Sequence, residues 1–193
     1  FRAAPWEGAE STSSVSMLSG SGEAMTASTG LRQTWHATEH LNLSAGIERG
    51  MLLSGSLDGY GGGSLPVSLP AGDFTSLTLG ADWANLGWSY DARIDWMRSQ
   101  DRVVNGLYAS AKRAGHDPLA LLFSVDVSRD AQAAGAEVRR VNLRGGLAYR
   151  PKGSRWIALN RTDLTYDETL GPPSGLRQVK LIDNLSTVYS IPG

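Results

Sequence analysis

Apolar and polar residues alternate along Ala24–Leu53, and much of the chain repeats this pattern. From Met25 to Trp35 every second residue belongs to a largely apolar set, and the residues between them are small or polar. After a polar break at residues 37–40 the alternation resumes from Leu41 to Met51, with Arg49 as the exception. Because side chains alternate across a strand, the pattern predicts a hairpin with one apolar and one polar face.

The length of the two arms indicates what the apolar face contacts. Each arm has about ten residues or more, whereas strands of soluble proteins usually have about five or six. A tilted strand needs roughly nine to eleven residues to cross a bilayer. We therefore expect a transmembrane hairpin whose apolar residues face lipid. Leu43, Leu79, Ile94 and Val125 should then not converge on a common dry centre.

The remaining chain predicts further strands and no helical pattern. These strands fall at about residues 11–18, 75–83, 88–96, 103–111, 119–127, 141–149, 155–167 and 176–189. In 155–167 apolar residues occupy both parities, so a bulge or two weak faces is open, and Asp183 interrupts the apolar set of the last strand. The predicted fold is all-β: an antiparallel, up-and-down transmembrane β-barrel of about ten strands, part of a larger barrel.

The predicted connections differ in length at the two ends of the strands. Residues 37–40, 85–87, 114–118 and 150–154 are short links, residues 54–72, 129–136 and 168–175 are longer, and 98–102 does not fit. Outer-membrane barrels have short periplasmic turns and longer external loops. Residues 1–10 are predicted to lead into a barrel portion, 11–193. Its glycine- and proline-containing loop 54–72 is interpreted as a surface loop that can contact a partner.

Aromatic residues are placed at the ends of the predicted strands. Clustering of this kind is typical of the aromatic girdles at membrane interfaces. The predicted girdle residues are Trp35, Trp83, Trp88, Trp96, Tyr149 and Trp156, of which Trp96 belongs to the end opposite the short turns.

Composition excludes several classes of protein. The formal net charge is −1, which gives no electrostatic case for nucleic-acid binding, and there are no cysteines for disulfides or thiolate metal sites. No run approaches 18 apolar residues, so a transmembrane helix is not predicted. The chain starts with Phe1, no signal peptide is predicted from its sequence, and its last residue is not aromatic. We therefore expect a mature or excised piece of a larger barrel.

Four stretches carry a resemblance to a known group of proteins. They are Ala4-Pro5-Trp6-Glu7-Gly8-Ala9-Glu10-Ser11-Thr12-Ser13-Ser14, Leu31-Arg32-Gln33-Thr34-Trp35, Gly146-Leu147-Ala148-Tyr149-Arg150-Pro151 and Ser154-Arg155-Trp156-Ile157-Ala158-Leu159. Together they resemble the C-terminal barrel region of large, poorly characterised bacterial outer-membrane and cell-surface proteins. The resemblance implies an envelope location and a barrel larger than this chain. It implies no catalytic or ligand residues.

Charged residues of both signs fall on the predicted polar face. The set expected to face the lumen is Glu48, Asp82, Asp91, Arg93, Asp95, Lys112, Asp126 and Arg144, and Arg161 and Asp163 are further candidates for it. One interpretation is a constriction that tunes the passage of ions or solutes. The preferred interpretation is a cross-strand ion-pair network that fills a narrow barrel. Neither interpretation needs a cofactor.

No constellation of catalytic or metal-binding residues is predicted. His36 and His40 bracket a turn, where helical metal-ligand spacing does not apply. His116 beside Asp117 suggests an acid–base pair, but nothing else converges on it. Serine is abundant, so a serine triad can always be assembled from this sequence, and its abundance carries no specificity.

The predicted function is therefore non-enzymatic. We expect a bacterial outer-membrane barrel that serves as a pore or as the membrane anchor of a larger surface or secretion assembly. Its expected partners are membrane lipid or lipopolysaccharide, and other protein segments or chains that complete the barrel. Two alternatives stay open at this point: a small outer-membrane lipid hydrolase, and a soluble β-sandwich or lipocalin-like ligand carrier.

Overall fold

The fold is a single antiparallel sheet in which every strand pairs with its neighbours in sequence. The computed structural model describes residues 2–18, 24–54, 73–114, 118–151, 153, 155–171 and 175–189. The sheet order is β1 to β11 without crossovers, which confirms the predicted all-β, up-and-down architecture. The strands are β1 (Arg2–Ala3), β2 (Ala9–Leu18), β3 (Ala24–Thr38), β4 (Leu41–Ser54), β5 (Phe74–Asn85), β6 (Trp88–Ser99), β7 (Arg102–Arg113), β8 (Leu119–Gln132), β9 (Glu137–Tyr149), β10 (Trp156–Leu170) and β11 (Leu176–Tyr189).

The pairing register sorts the side chains of all the long strands onto two faces. We define the apolar face by the row that follows the register from Trp35 on β3 across to β11. This row contains Trp35, Leu43, Ala81, Ala92, Ala109, Val125, Leu143, Leu164 and Leu181. The polar face is defined by the adjacent row, which contains His36, Asn42, Asp82, Asp91, Ser110, Ser124, Arg144 and Asp163.

The apolar face is not buried by any other element of the described chain. Each strand contacts only the strands next to it in sequence, so the sheet is one layer. Leu43, Leu79 and Ile94 are 40%, 45% and 55% exposed, and Val125 is half-buried. Among the described hydrophobic residues, Ala9 alone is buried. The apolar side chains therefore do not converge on a dry centre.

The sheet is open. Its last strand, β11, is exposed along its whole length, and at the other side β1 covers β2 only at Ser11 and Thr12. The strands thus leave two edges with unpaired backbone groups, and the described residues do not close into a barrel. No helix in the described part of the chain is long and apolar enough to span a membrane.

The strands extend further than the sequence pattern predicts, and this corrects the predicted asymmetry of the connections. Part of each predicted loop is strand: β8 continues to Gln132, four residues into 129–136, and β10 continues to Leu170, three residues into 168–175. Residues 2–3 and 9–10 of the N-terminal segment also belong to strands. The difference in connection length between the two ends of the sheet therefore depends on one connection, residues 55–73, most of which lies outside the described residues.

The ambiguous strand β10 has no bulge. It pairs with β9 and β11 without a register shift, so its apolar residues occupy both faces. The register shifts occur between β3 and β4 instead, at Met25/Thr26 and at His36/Thr38. The sequence could not distinguish a bulge from two weakly apolar faces in this strand, because apolar residues at both parities are expected in either case.

A two-residue turn joins β5 to β6. Leu86 and Gly87 have φ values of 49° and 81°, as a type I′ hairpin turn requires at both central positions. The carbonyl oxygen of Gly87 accepts a hydrogen bond from the N–H of Ala114 at 2.8 Å, so the turn is also tied to the end of β7.

Candidate functional site: the two faces of the sheet

The strand register places all eight charged residues of the predicted lumen set on the polar face. Asp82, Asp91 and Arg144 share one row, and Arg93 and Asp126 share the next row. Glu48, Asp95 and Lys112 occupy further rows of the same face. Neighbouring strands lie about 4.8 Å apart, so residues in register can interact across strands.

The centre of the polar face carries a charge-assisted cluster on β5, β6 and β7. The Arg93 Nε atom donates to Asp95 Oδ2 at 2.8 Å, and the Thr78 hydroxyl donates to the other carboxylate oxygen at 2.9 Å. The Arg93 guanidinium lies 5.8 Å from the centre of the Tyr108 ring. This cluster fixes the orientation of two of the eight predicted residues.

A second cluster joins β9 to β10, and sequence reasoning identified it only in part. Arg144 and Arg161 each donate an Nε hydrogen bond to Asp163 at 2.7 Å. In the same strand pair, Arg140 donates to Asp167 at 2.6 Å. The sequence offered Arg161 and Asp163 as further candidates for this face. It missed Arg140 and Asp167, because the mixed apolar parity of β10 left the faces of that strand unassigned before it was paired.

Five members of the predicted set remain without an ion pair to another described residue: Glu48, Asp82, Asp91, Lys112 and Asp126. Asp82 and Asp91 lie directly opposite each other on β5 and β6. The polar face is therefore partly an ion-pair network and partly a surface of charged side chains outside the ion pairs of the described residues.

Two open grooves lie along the polar face. The larger, about 520 Å³, spans β7 to β11 and includes Lys112, Leu122 and Arg161 in its lining. The smaller, about 270 Å³, spans β2 to β5 and includes Arg32, Ser44 and Glu48. Within the described residues no group of three His, Cys, Asp or Glu side chains is arranged to hold a metal ion.

All six predicted girdle aromatics lie on the apolar face. Trp88 stacks on Tyr90 with 5.8 Å between ring centres, and Trp83 approaches the same ring at 5.3 Å. Tyr149 and Trp156 meet edge to face at 5.7 Å. Trp35, Trp96 and Trp156 are 49%, 36% and 41% exposed, so part of each side chain is accessible on the apolar face.

The aromatic residues near the short turns form an inclined line across the sheet. The row that starts at Trp35 on β3 reaches Leu164 on β10, and Trp156 lies eight positions earlier on β10, towards the short turns. Between them Trp83, Trp88 and Tyr149 deviate from the row by two, four and six positions in the same direction. The line therefore drifts steadily by about one residue per strand.

Two polar groups interrupt the apolar face, one on β10 and β11 and the other extending from β8 to β11. Asp183 accepts a hydrogen bond from the Thr162 hydroxyl at 2.6 Å and from the Asn160 amide at 3.0 Å. This explains the exception at Asp183, since the register places its two donors beside it. Near the other end of the strands a chain of ion pairs runs through Arg129, Glu137, Arg139, Glu168 and Arg177.

A hydrolytic site is not assembled from the described histidines. His36 Nδ1 lies 2.6 Å from the side-chain oxygen of Asn42, across the start of the β3–β4 hairpin. His116 and Asp117 lie outside the described residues. Neither His36 nor His40 makes a hydrogen bond to a described serine side chain.

Comparison with protein-family models and with curated proteins gives no match to this chain.

Proposed function

We propose that this chain is the membrane-spanning part of a bacterial outer-membrane β-barrel, and that the barrel is a pore or the anchor of a larger surface or secretion assembly. The proposal includes no enzymatic activity. The single observation that carries it is the inclined aromatic line on an exposed apolar face.

The inclination of the line agrees with the strand tilt of membrane barrels. Eight positions along a strand, at about 3.3 Å each, correspond to about 26 Å, and seven strand spacings of about 4.8 Å correspond to about 34 Å. The ratio gives an angle of about 38°. Strands of outer-membrane barrels tilt by about 35–45° from the membrane normal. A membrane interface that cuts tilted strands at one level would meet Trp35, Trp83, Trp88, Tyr149 and Trp156 in turn.

The height of the apolar band supports the same proposal. On β6, β8 and β9 the apolar face runs over nine residues, Trp88–Trp96, Leu119–Val127 and Val141–Tyr149. Eight rises of about 3.3 Å give about 26 Å along the strand, or about 21 Å along the normal at a tilt of 38°. Adding the size of the terminal rings brings this close to the outward apolar band of about 25 Å in membrane barrels.

The two alternative interpretations of the chain, a soluble sandwich and a lipid hydrolase, have less support. A soluble sandwich needs a second layer of apolar side chains, and each described strand contacts only its sequence neighbours. A lipid hydrolase needs a serine next to a base, and neither of the described histidines, His36 and His40, makes a hydrogen bond to a described serine side chain. We therefore advance no second function.

Completion of the barrel by further strands belongs to this proposal. An unpaired edge in lipid costs roughly several kcal/mol per exposed backbone group, so both edges need partners. In an up-and-down sheet β1 and β11 run in the same direction. Antiparallel closure that keeps all eleven strands therefore requires an odd number of additional strands, supplied by other segments or chains.

Spin labels on the two faces of one strand test the proposal. The chain has no cysteine, so single cysteines at Val125 (apolar face) and Ser124 (polar face) give unique labels. In reconstituted bilayers we expect the label at 125 to be accessible to oxygen and shielded from a water-soluble nickel chelate. The label at 124 should not show this preference for oxygen.

Two outcomes of the spin-label experiment would contradict the proposal. Free access of the chelate to the label at 125 would place the apolar face in water, and shielding of that label from both reagents would indicate a protein core. Conductance in planar bilayers then separates the two roles. Steady current through the assembled protein identifies a pore, and absence of current with the labels still in lipid identifies an anchor.

A further inference from the structure

A row of hydrogen-bond donors crosses the apolar face at the end of the sheet nearest residues 55–73. Following the register from β3 to β6, this row contains Thr29, Arg49, Thr75 and Arg98. Arg49 and Arg98 lie directly on either side of Thr75, so their Cα atoms are about 10 Å apart at two strand spacings. Two arginine side chains at this distance can reach one group placed above Thr75.

The two arginines have free guanidinium groups within the described part of the chain. Arg49 and Arg98 are exposed and make no salt bridge to a described carboxylate. This separates them from Arg129, Arg139 and Arg177 on the same face, which are held by Glu137 and Glu168. Asp73 directly precedes β5 and carries one negative charge, so the row with its two arginines keeps an excess of positive charge.

The row that borders the donors on the inner side is apolar. It contains Leu31, Ile47, Leu77 and Trp96, and the last three are 53%, 41% and 36% exposed. An exposed apolar row against an exposed cationic row is the arrangement that complements an anionic lipid. The acyl chains contact the apolar row, and the headgroup contacts the donors.

Phosphate is the anionic group that matches these donors best. Guanidinium groups bind phosphate oxygens through paired charge-assisted hydrogen bonds, and a hydroxyl between them adds a further donor. We propose that Arg49, Thr75 and Arg98 form a binding site for the phosphorylated headgroup of a membrane lipid at the interface next to residues 55–73. This inference rests on the proposed membrane function, because it requires the apolar face to contact lipid.

Binding to a bis-phosphorylated lipid A and to its dephosphorylated form tests the site. The protein is held in detergent micelles, and the fraction carrying bound lipid is measured by native mass spectrometry over a lipid titration. We expect the phosphorylated lipid to bind, and the double variant Arg49→Gln/Arg98→Gln to reduce its affinity about tenfold or more, since each arginine contributes charge-assisted bonds. The dephosphorylated lipid should bind weakly to both proteins.

A matched control uses two arginines of the polar face. Arg93→Gln/Arg144→Gln removes the same charge from the other side of the sheet and should leave the affinity for the phosphorylated lipid unchanged. Far-ultraviolet circular dichroism of every variant verifies that the strand content is retained. If Arg49→Gln/Arg98→Gln loses strand content, Arg49→Lys/Arg98→Lys takes its place. The lysine variant keeps the positive charge and should still bind the lipid more weakly, because lysine lacks the paired donors of arginine.

Three outcomes would overturn the site. The first is an unchanged lipid affinity in the Arg49/Arg98 variants, and the second is an equal loss of lipid affinity in the polar-face control. The third is complete displacement of the lipid by inorganic phosphate at a concentration equal to that of the lipid. The outcome is independent of the spin-label test: labels in lipid with no phosphate preference reject this site alone, and a label at 125 in water rejects the membrane function itself.

Discussion

At the scale of single residues, a glycine on β4 leaves room for an aromatic ring of the neighbouring strand. Gly50 on β4 lies opposite Phe74 on β5, and a Cβ atom at Gly50 would meet the Phe74 ring at 2.0 Å. The aromatic ring thus occupies the space that a side chain at position 50 would need, an arrangement that stabilises strand glycines. Gly46, on the same face of the same strand, has no heavy atom closer than 3.7 Å to its Cβ position.

We predict opposite effects of alanine at these two glycines. Gly50→Ala should lower the free energy of unfolding by about 1–2 kcal/mol, because the Phe74 ring must move away. Gly46→Ala should leave stability unchanged or raise it by about 0.5 kcal/mol, since alanine loses less backbone entropy on folding. Denaturant titration followed by tryptophan fluorescence measures both, and equal effects at the two positions would contradict the role of Phe74.

At the scale of elements, the β5–β6 turn carries local strain that sequence reasoning did not detect. The residues 85–87 predicted a tight turn, but not that Leu86 adopts a left-handed conformation with its side chain 92% exposed. Type I′ turns favour asparagine followed by glycine, because both central residues need positive φ. Leucine pays a conformational penalty at this position that asparagine largely avoids.

Leu86→Asn should therefore stabilise the hairpin. We expect an increase of about 0.5–1 kcal/mol in the free energy of unfolding. Gly87→Ala is the control of opposite sign: its φ is 81°, and a Cβ atom would lie 2.8 Å from the carbonyl oxygen of Ala114. Thermal unfolding in detergent compares the two variants, and destabilisation by Leu86→Asn would show that the leucine side chain has a role of its own.

At the scale of the whole molecule, the open edges determine what the sheet needs. The fourteen residues of β11 are all exposed and pair on one side only, with β10. Strand β6, in contrast, pairs on both sides along its length. An assembly that closes the barrel must cover β11 with a strand of opposite direction.

Hydrogen exchange detects this closure. Amides of β11 that point away from β10 should exchange rapidly in the chain by itself and slowly in the membrane-inserted assembly. Amides of β6 should be protected in both states and serve as the internal reference. Rapid exchange of β11 in the inserted assembly would contradict closure at this edge.

The sequence by itself determined the strands and their two faces. The alternation of period two is local, so it predicted nearly every strand, the up-and-down order, and the shared face of the eight charged residues and of the six aromatics. It failed where local signals conflict: in β10, whose apolar residues occupy both parities, and at residues 129–136 and 168–175, where polar composition concealed continuing strand.

The tertiary structure decided how the strands align with one another. Lateral register depends on pairing between residues far apart in sequence, and no local pattern contains it. Register placed Asn160 and Thr162 beside Asp183, brought Asp163 to Arg144, and set Arg49 and Arg98 on either side of Thr75. It also revealed the inclination of the aromatic line, because a tilt is a relation between strands and not a property of any one of them.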